Sequence, residues 1–110
     1  MTTDPDRRLQ KLIRRLRSPE DVKRIHAGLL LGRMGPGATA AVPTLLELLK
    51  GASVQNRKLA ARTLGSIGRG AVEAVPALLV AVRDTNEGVR KMAREALEQI
   101  SPSGTQVRAA

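Results

Sequence analysis

The chain has no cysteine, phenylalanine, tyrosine or tryptophan, and only one histidine. Without cysteine there is no disulfide framework, no thiolate metal site and no cysteine nucleophile. A lone His26 excludes paired-histidine metal motifs. The missing aromatics remove the usual platform for stacking nucleic-acid bases. They also leave any core to Leu, Ile, Val, Met and Ala, small side chains that pack closely and bury little area each. Long apolar runs are missing as well: Ala74 to Val82 falls far short of the ~18 residues that suggest a bilayer span. Met1-Thr2-Thr3-Asp4-Pro5 is polar and acidic, unlike a signal peptide, so a soluble, cytoplasmic protein is expected.

What is present is a 110-residue chain, 42% hydrophobic, with a formal net charge of +9. That length suits one domain burying roughly 65% of the surface of its unfolded chain. The charge is uneven: residues 1–33 carry +5, residues 34–68 carry +3 and residues 69–110 carry +1. A basic chain gains affinity for phosphate by releasing counterions, so the N-terminal end is where nucleic acid would bind.

The strongest signal is an internal repeat. Leu31-Gly32-Arg33-Met34-Gly35-Pro36-Gly37-Ala38-Thr39-Ala40-Ala41-Val42-Pro43-Thr44-Leu45-Leu46 returns thirty-three residues later, from Leu64 to Leu79, with ten of sixteen positions identical. The same offset aligns Arg24 with Arg57 and Arg90, Ala27 with Ala60 and Ala93, and Leu31 with Leu64 and Leu97. Apolar spacing of helical period divides each copy in two. One kind of helix is expected at about 19–34, 54–67 and 87–100, the other at about 5–17, 38–50 and 71–83. Gly35 and Gly68 close helices of the first kind in a left-handed conformation. Pro43 and Pro76 lie near the end of the first turn of the second kind, where a slight kink is expected. The expected architecture is all-α: about six helices in three layers of antiparallel hairpins, sharing one core because no hairpin buries its stripe alone. Residues 1–100 form the domain and the polar tail 101–110 is expected to be disordered.

The LGxxG step at Leu64–Gly68, the AVPxLL helix at Ala74–Leu79 and the VRxxA start at Val89–Ala93 resemble HEAT repeats, in the variant shared with the bacterial HEAT-like family named after phycobilisome lyases. The resemblance covers about residues 5–100 and implies a short right-handed α-solenoid, an α-α superhelix. In that family an Asp in the turn and an Arg at the next helix start form a ladder between repeats. Arg24, Arg57 and Arg90 match the Arg, whereas only Asp84 matches the Asp, with Ser18 and Gly51 at the equivalent sites. The ladder is therefore expected to be broken, leaving Arg24 and Arg57 for solvent or a partner. Some family members act on bilins and some HEAT-like proteins excise DNA bases, but no residue here carries over either chemistry.

Candidate catalytic features all have plainer readings. His26 shares a column with Leu59 and Met92 and is expected to pack at the core edge, without a catalytic partner at useful spacing. Glu20-Asp21 suits the positive end of a helix dipole. Gly35-Pro36-Gly37 and Gly68-Arg69-Gly70 recur with the repeat, as structural turns do. No enzyme, cofactor or metal is expected. The resemblance places second-kind helices on a concave face, where Thr44, Glu47, Leu48, Glu73, Ala77, Val80 and Ala81 form a candidate groove for a protein or peptide, acidic ones included. Arg7, Arg8, Lys11, Arg14, Arg15, Arg24 and Arg57 form a candidate basic patch that would steer such a partner, bind nucleic acid as an alternative, or merely solubilise the end of the stack. Exposed Val72, Val80 and Leu48 would also permit a homo-oligomer.

Overall fold

A computed structural model describes residues 5–101. Residues 1–4 and 102–110, including nearly all of the tail expected to be disordered, lie outside the described residues. Every regular element among those described is helical: α1 (Pro5–Arg15), α2 (Asp21–Met34), α3 (Val42–Leu49), α4 (Val54–Ile67), α5 (Val75–Ala81) and α6 (Glu87–Ile100). Short turns join α1 to α2, α3 to α4 and α5 to α6, and the partners pack on one another; α2, α4 and α6 also pack side by side in that order.

The helix starts follow from capping chemistry. Ser53 Oγ accepts the Asn56 N–H at 3.2 Å to open α4, and Asn86 Oδ1 accepts the Val89 N–H at 3.0 Å to open α6. Each satisfies an amide that has no partner within the helix. At the other end, Gly35 and Gly68 have φ of 60° and 71°. Their ψ values of −139° and −133° put them outside the left-handed helical region expected from sequence, in a region open essentially to glycine alone.

Helices of the second kind begin later than their apolar spacing suggests. Gly35–Ala41 and Gly68–Ala74 wind as 3-10 helix, with Ala38 and Ala71 pulled to φ of −102° and −111°. Proline explains the change, because Pro43 and Pro76 have no N–H to offer the carbonyl four residues earlier and their rings crowd it. The preceding N–H groups of Val42 and Val75 instead bond Thr39 and Val72, three residues back. The prolines thus occupy the first turn of α3 and α5, where the missing donor costs least.

The core runs along the repeat columns. Ala27, Ala60 and Ala93 are buried, as are Leu31, Leu64 and Leu97, together with Leu16, Leu45, Val42 and Leu78. Each large side chain of this set contributes about 1.5–3 kcal/mol by leaving water. Small residues set the helix spacing: a Cβ added at Gly65 would lie 2.9 Å from Ala96 Cα on α6. The segment Val54–Ala81 has the length and mean hydropathy, 1.3, of a membrane-crossing helix. It is not one α-helix, however: a positive φ at Gly68 and the 3-10 stretch Gly68–Ala74 interrupt it, and both α4 and α5 pack on α6.

Candidate functional site

The first surprise is the arginine column. Arg57 reaches from α4 to the α5–α6 turn, where Nε donates to Asp84 Oδ2 at 2.9 Å and Nη2 to Asp84 Oδ1 at 3.2 Å. Its Nη1 donates to the carbonyls of Gly51 and Ala52, both at 3.0 Å. Arg24 repeats the arrangement with a substitute acceptor. Its Nε donates to Asn56 Oδ1 at 3.0 Å, its Nη1 to the Ser18 carbonyl at 2.7 Å, and its Nη2 to Asp21. Arg90 grips its own turn through the carbonyls of Asp84 and Thr85. The expected break in the ladder is therefore filled: Asn56 on α4 does for Arg24 what a turn aspartate would have done at Gly51. Arg24 and Arg57, expected to be free for a partner, are mostly buried and occupied. The Arg57 guanidinium and the Asn86 N–H hold the Asp84 carboxyl below its usual range.

A second tie joins the α1–α2 turn to α3. Arg17 pairs with Glu47 at 2.7 Å and donates to Thr44 Oγ1 at 3.4 Å. The guanidinium keeps the Glu47 carboxyl below its ordinary range. This contact changes the expected groove. Thr44 is buried beneath Arg17, Glu47 is exposed but engaged, Leu48 is half-buried against the core, and Glu73 stands in solvent.

Ala77, Val80 and Ala81 are the groove residues that do come together. With Leu49 and Leu79 they line an open depression of about 930 Å³ between α5 and the turns at Lys50-Gly51 and Arg83-Asp84-Thr85. Leu49 and Ala81 are almost fully covered, whereas Val80 is 73% exposed. Lys50 and Arg83 stand exposed on the rim. The one carboxylate there, Asp84, is already taken by Arg57. Chemically the depression offers an apolar shelf edged by cations, a surface suited to apolar side chains beside carboxylates. Lys50 and Arg83 escaped the sequence-based list although the signal existed: they align with Arg17 in a basic column at the ends of the second-kind helices.

Of the basic patch, Arg7, Arg8, Lys11 and Arg14 are exposed along α1 and Arg15 is half-buried. His26 does not pack at the core edge; it is exposed. Leu59, its counterpart on α4, faces α2, but among the described residues α2 has no earlier helix of its kind beside it, so the same column opens to solvent. Among the described residues no group of three His, Asp or Glu side chains is placed to hold a metal ion.

A family profile described as HEAT repeats matches residues 9–98 of the chain. HEAT repeats commonly mediate protein–protein interaction and are generally non-enzymatic scaffolds. No curated protein matches the chain.

Proposed function

This chain belongs to the HEAT-repeat family, and from that premise we propose that it is a non-catalytic scaffold or adaptor that receives a protein segment on its α3–α5 side. In this reading the paired helices form a short right-handed solenoid of three layers within residues 1–100, and α1, α3 and α5 line its concave face. Within the family it sits with the bacterial HEAT-like proteins of the phycobilisome-lyase type, by its LGxxG and AVPxLL steps. A cytoplasmic location goes with this proposal. The observation that carries it is the depression beside α5, where an apolar shelf with Val80 at its lip lies between cationic Lys50 and Arg83. An acidic segment with apolar anchors complements it, and the exposed arginines of α1 speed the encounter.

A peptide-display selection tests this. Peptides retained by the wild-type protein should be rich in Asp, Glu and Leu-like residues and be lost on Val80→Glu, an exposed change expected to alter folding by less than about 0.5 kcal/mol. Peptides that bind both proteins equally would refute the assignment.

One observation favours a second reading, nucleic-acid binding: Arg7, Arg8, Lys11 and Arg14 remain exposed on one helix. Four phosphate contacts give a slope of about −3.6 for log K against log salt on duplex DNA. No detectable binding at low salt dismisses it. Self-association through exposed Val72 and Val80 is a third reading, and sedimentation that stays monomeric eliminates it.

A further inference from the structure

The repeat carries its own control for what an exposed helix face should look like. The outward positions of α4 hold Gln55, Lys58 and Arg62, and those of α6 hold Gly88, Lys91 and Glu95. The matching positions of α2 hold Val22, Ile25 and Leu29, which are 76%, 57% and 48% exposed. Their spacing of three and four residues puts them on one stripe about 10 Å long. Among the described residues nothing covers that stripe.

The stripe borders a built furrow. Ile25 and Leu29 form one wall, Leu59 the base, and Arg62 the opposite lip of two adjoining hollows of about 340 and 280 Å³ between α2 and α4. Gly28 and Gly32 bring the two helices close, since a Cβ at either would press on Leu59, Thr63 or Ser66. The margin is cationic: Lys58, Arg62 and Arg33 supply three positive groups. Asp21, the one acid in the lining, is paired with Arg24.

We propose that the α2–α4 furrow is a docking site for an acidic amphipathic helix, separate from the α5 depression and independent of the function assigned to it. The helix lays apolar side chains across Val22, Ile25 and Leu29 and sets its carboxylates against Lys58, Arg62 and Arg33. Charge selects this occupant. A second copy would bring another net +9 to a cationic margin. The chain's own residues 102–110 carry Arg108 and no acidic side chain. An acidic helix satisfies both the apolar stripe and its rim, the arrangement of helix-in-groove recognition.

The probe is a designed helical peptide with leucines on one face and glutamates on its flanks; its companion has lysines in place of the glutamates. Fluorescence anisotropy should show the glutamate peptide binding and the lysine peptide not. Ile25→Ser and Arg62→Glu should each weaken binding about tenfold or more, and Val80→Glu should leave it unchanged. Circular dichroism of each variant confirms that these surface changes leave the helices intact. Amide shifts in NMR should move on α2 and α4. Four results would overturn the proposal: no binding of the glutamate peptide, equal binding of the lysine peptide, shifts confined to α5, or a dimer that dissociates on Ile25→Ser, which would assign the stripe to a second copy.

Discussion

Replacing Asp84 with alanine should weaken the joint between α4 and the α5–α6 pair by about 2–3 kcal/mol. The side chain receives two bonds from the Arg57 guanidinium and one from the Asn86 N–H at 2.8 Å. Both ionic partners are largely shielded, at 16% and 13% side-chain exposure. Breaking a fully buried pair commonly costs 3–5 kcal/mol, because the remaining charge is stranded. Here Arg57 keeps its bonds to the carbonyls of Gly51 and Ala52, so the cost falls below that range. Urea unfolding measures the total, and hydrogen exchange locates it: α5 and α6 should lose protection before α1 and α2. The pH dependence follows from the sign of the shift. A carboxyl held below its ordinary 3.8 lends stability that is complete above that value and disappears as pH falls through its lower folded value. The gap between wild type and Asp84→Asn should therefore narrow in acid below about pH 4. A loss under about 0.5 kcal/mol for Asp84→Ala, the range of exposed pairs, would refute the reasoning.

Asn56→Asp should stabilise the protein by about 0.5–1 kcal/mol in urea titrations, because a carboxylate near the start of α4 gives Arg24 an ionic acceptor and favours the helix dipole. No gain would mean that Asn56 does not stand in for the absent turn aspartate. Gly65→Ala should destabilise more than Gly28→Ala in thermal melts. Both gain about 1 kcal/mol of helix propensity, but the new methyl at 65 meets the Ala96 backbone whereas at 28 it meets side chains of Leu59 and Thr63. Equal melting temperatures would contradict the account of why α4 and α6 lie so close. Arg17→Ala should leave the urea midpoint nearly unchanged, since its pair with Glu47 is exposed and screened by solvent. A loss as large as that of Asp84→Ala would show that the tie between the α1–α2 turn and α3 carries more of the fold than its exposure allows.

Much of the helical framework was legible because a thirty-three-residue repeat displays each constraint more than once. The alanine and leucine columns at 27/60/93 and 31/64/97 follow directly from helical spacing and are buried. Boundaries were less legible at Pro43 and Pro76, where the lost N–H converts an expected α-turn into 3-10 helix. The arginine ladder misled for a physical reason: hydrogen bonding needs an acceptor at a place in space, and Asn56 reaches that place from a different column than Asp84 does. His26 misled for another. A column predicts burial only where a neighbouring repeat exists, and among the described residues α2 has none on one side. The expected groove was read from columns alone, so it missed that Arg17 would occupy Thr44 and Glu47 and that Lys50 and Arg83 would edge the opening.

The central claim, that the surface beside α5 holds a protein segment, is tested most directly by affinity purification from a lysate of the source cells, treated with nuclease and run beside Val80→Glu. The account predicts a protein that survives nuclease on the wild-type bait and is missing from the variant. Capture abolished by nuclease, or identical on both baits, would contradict it.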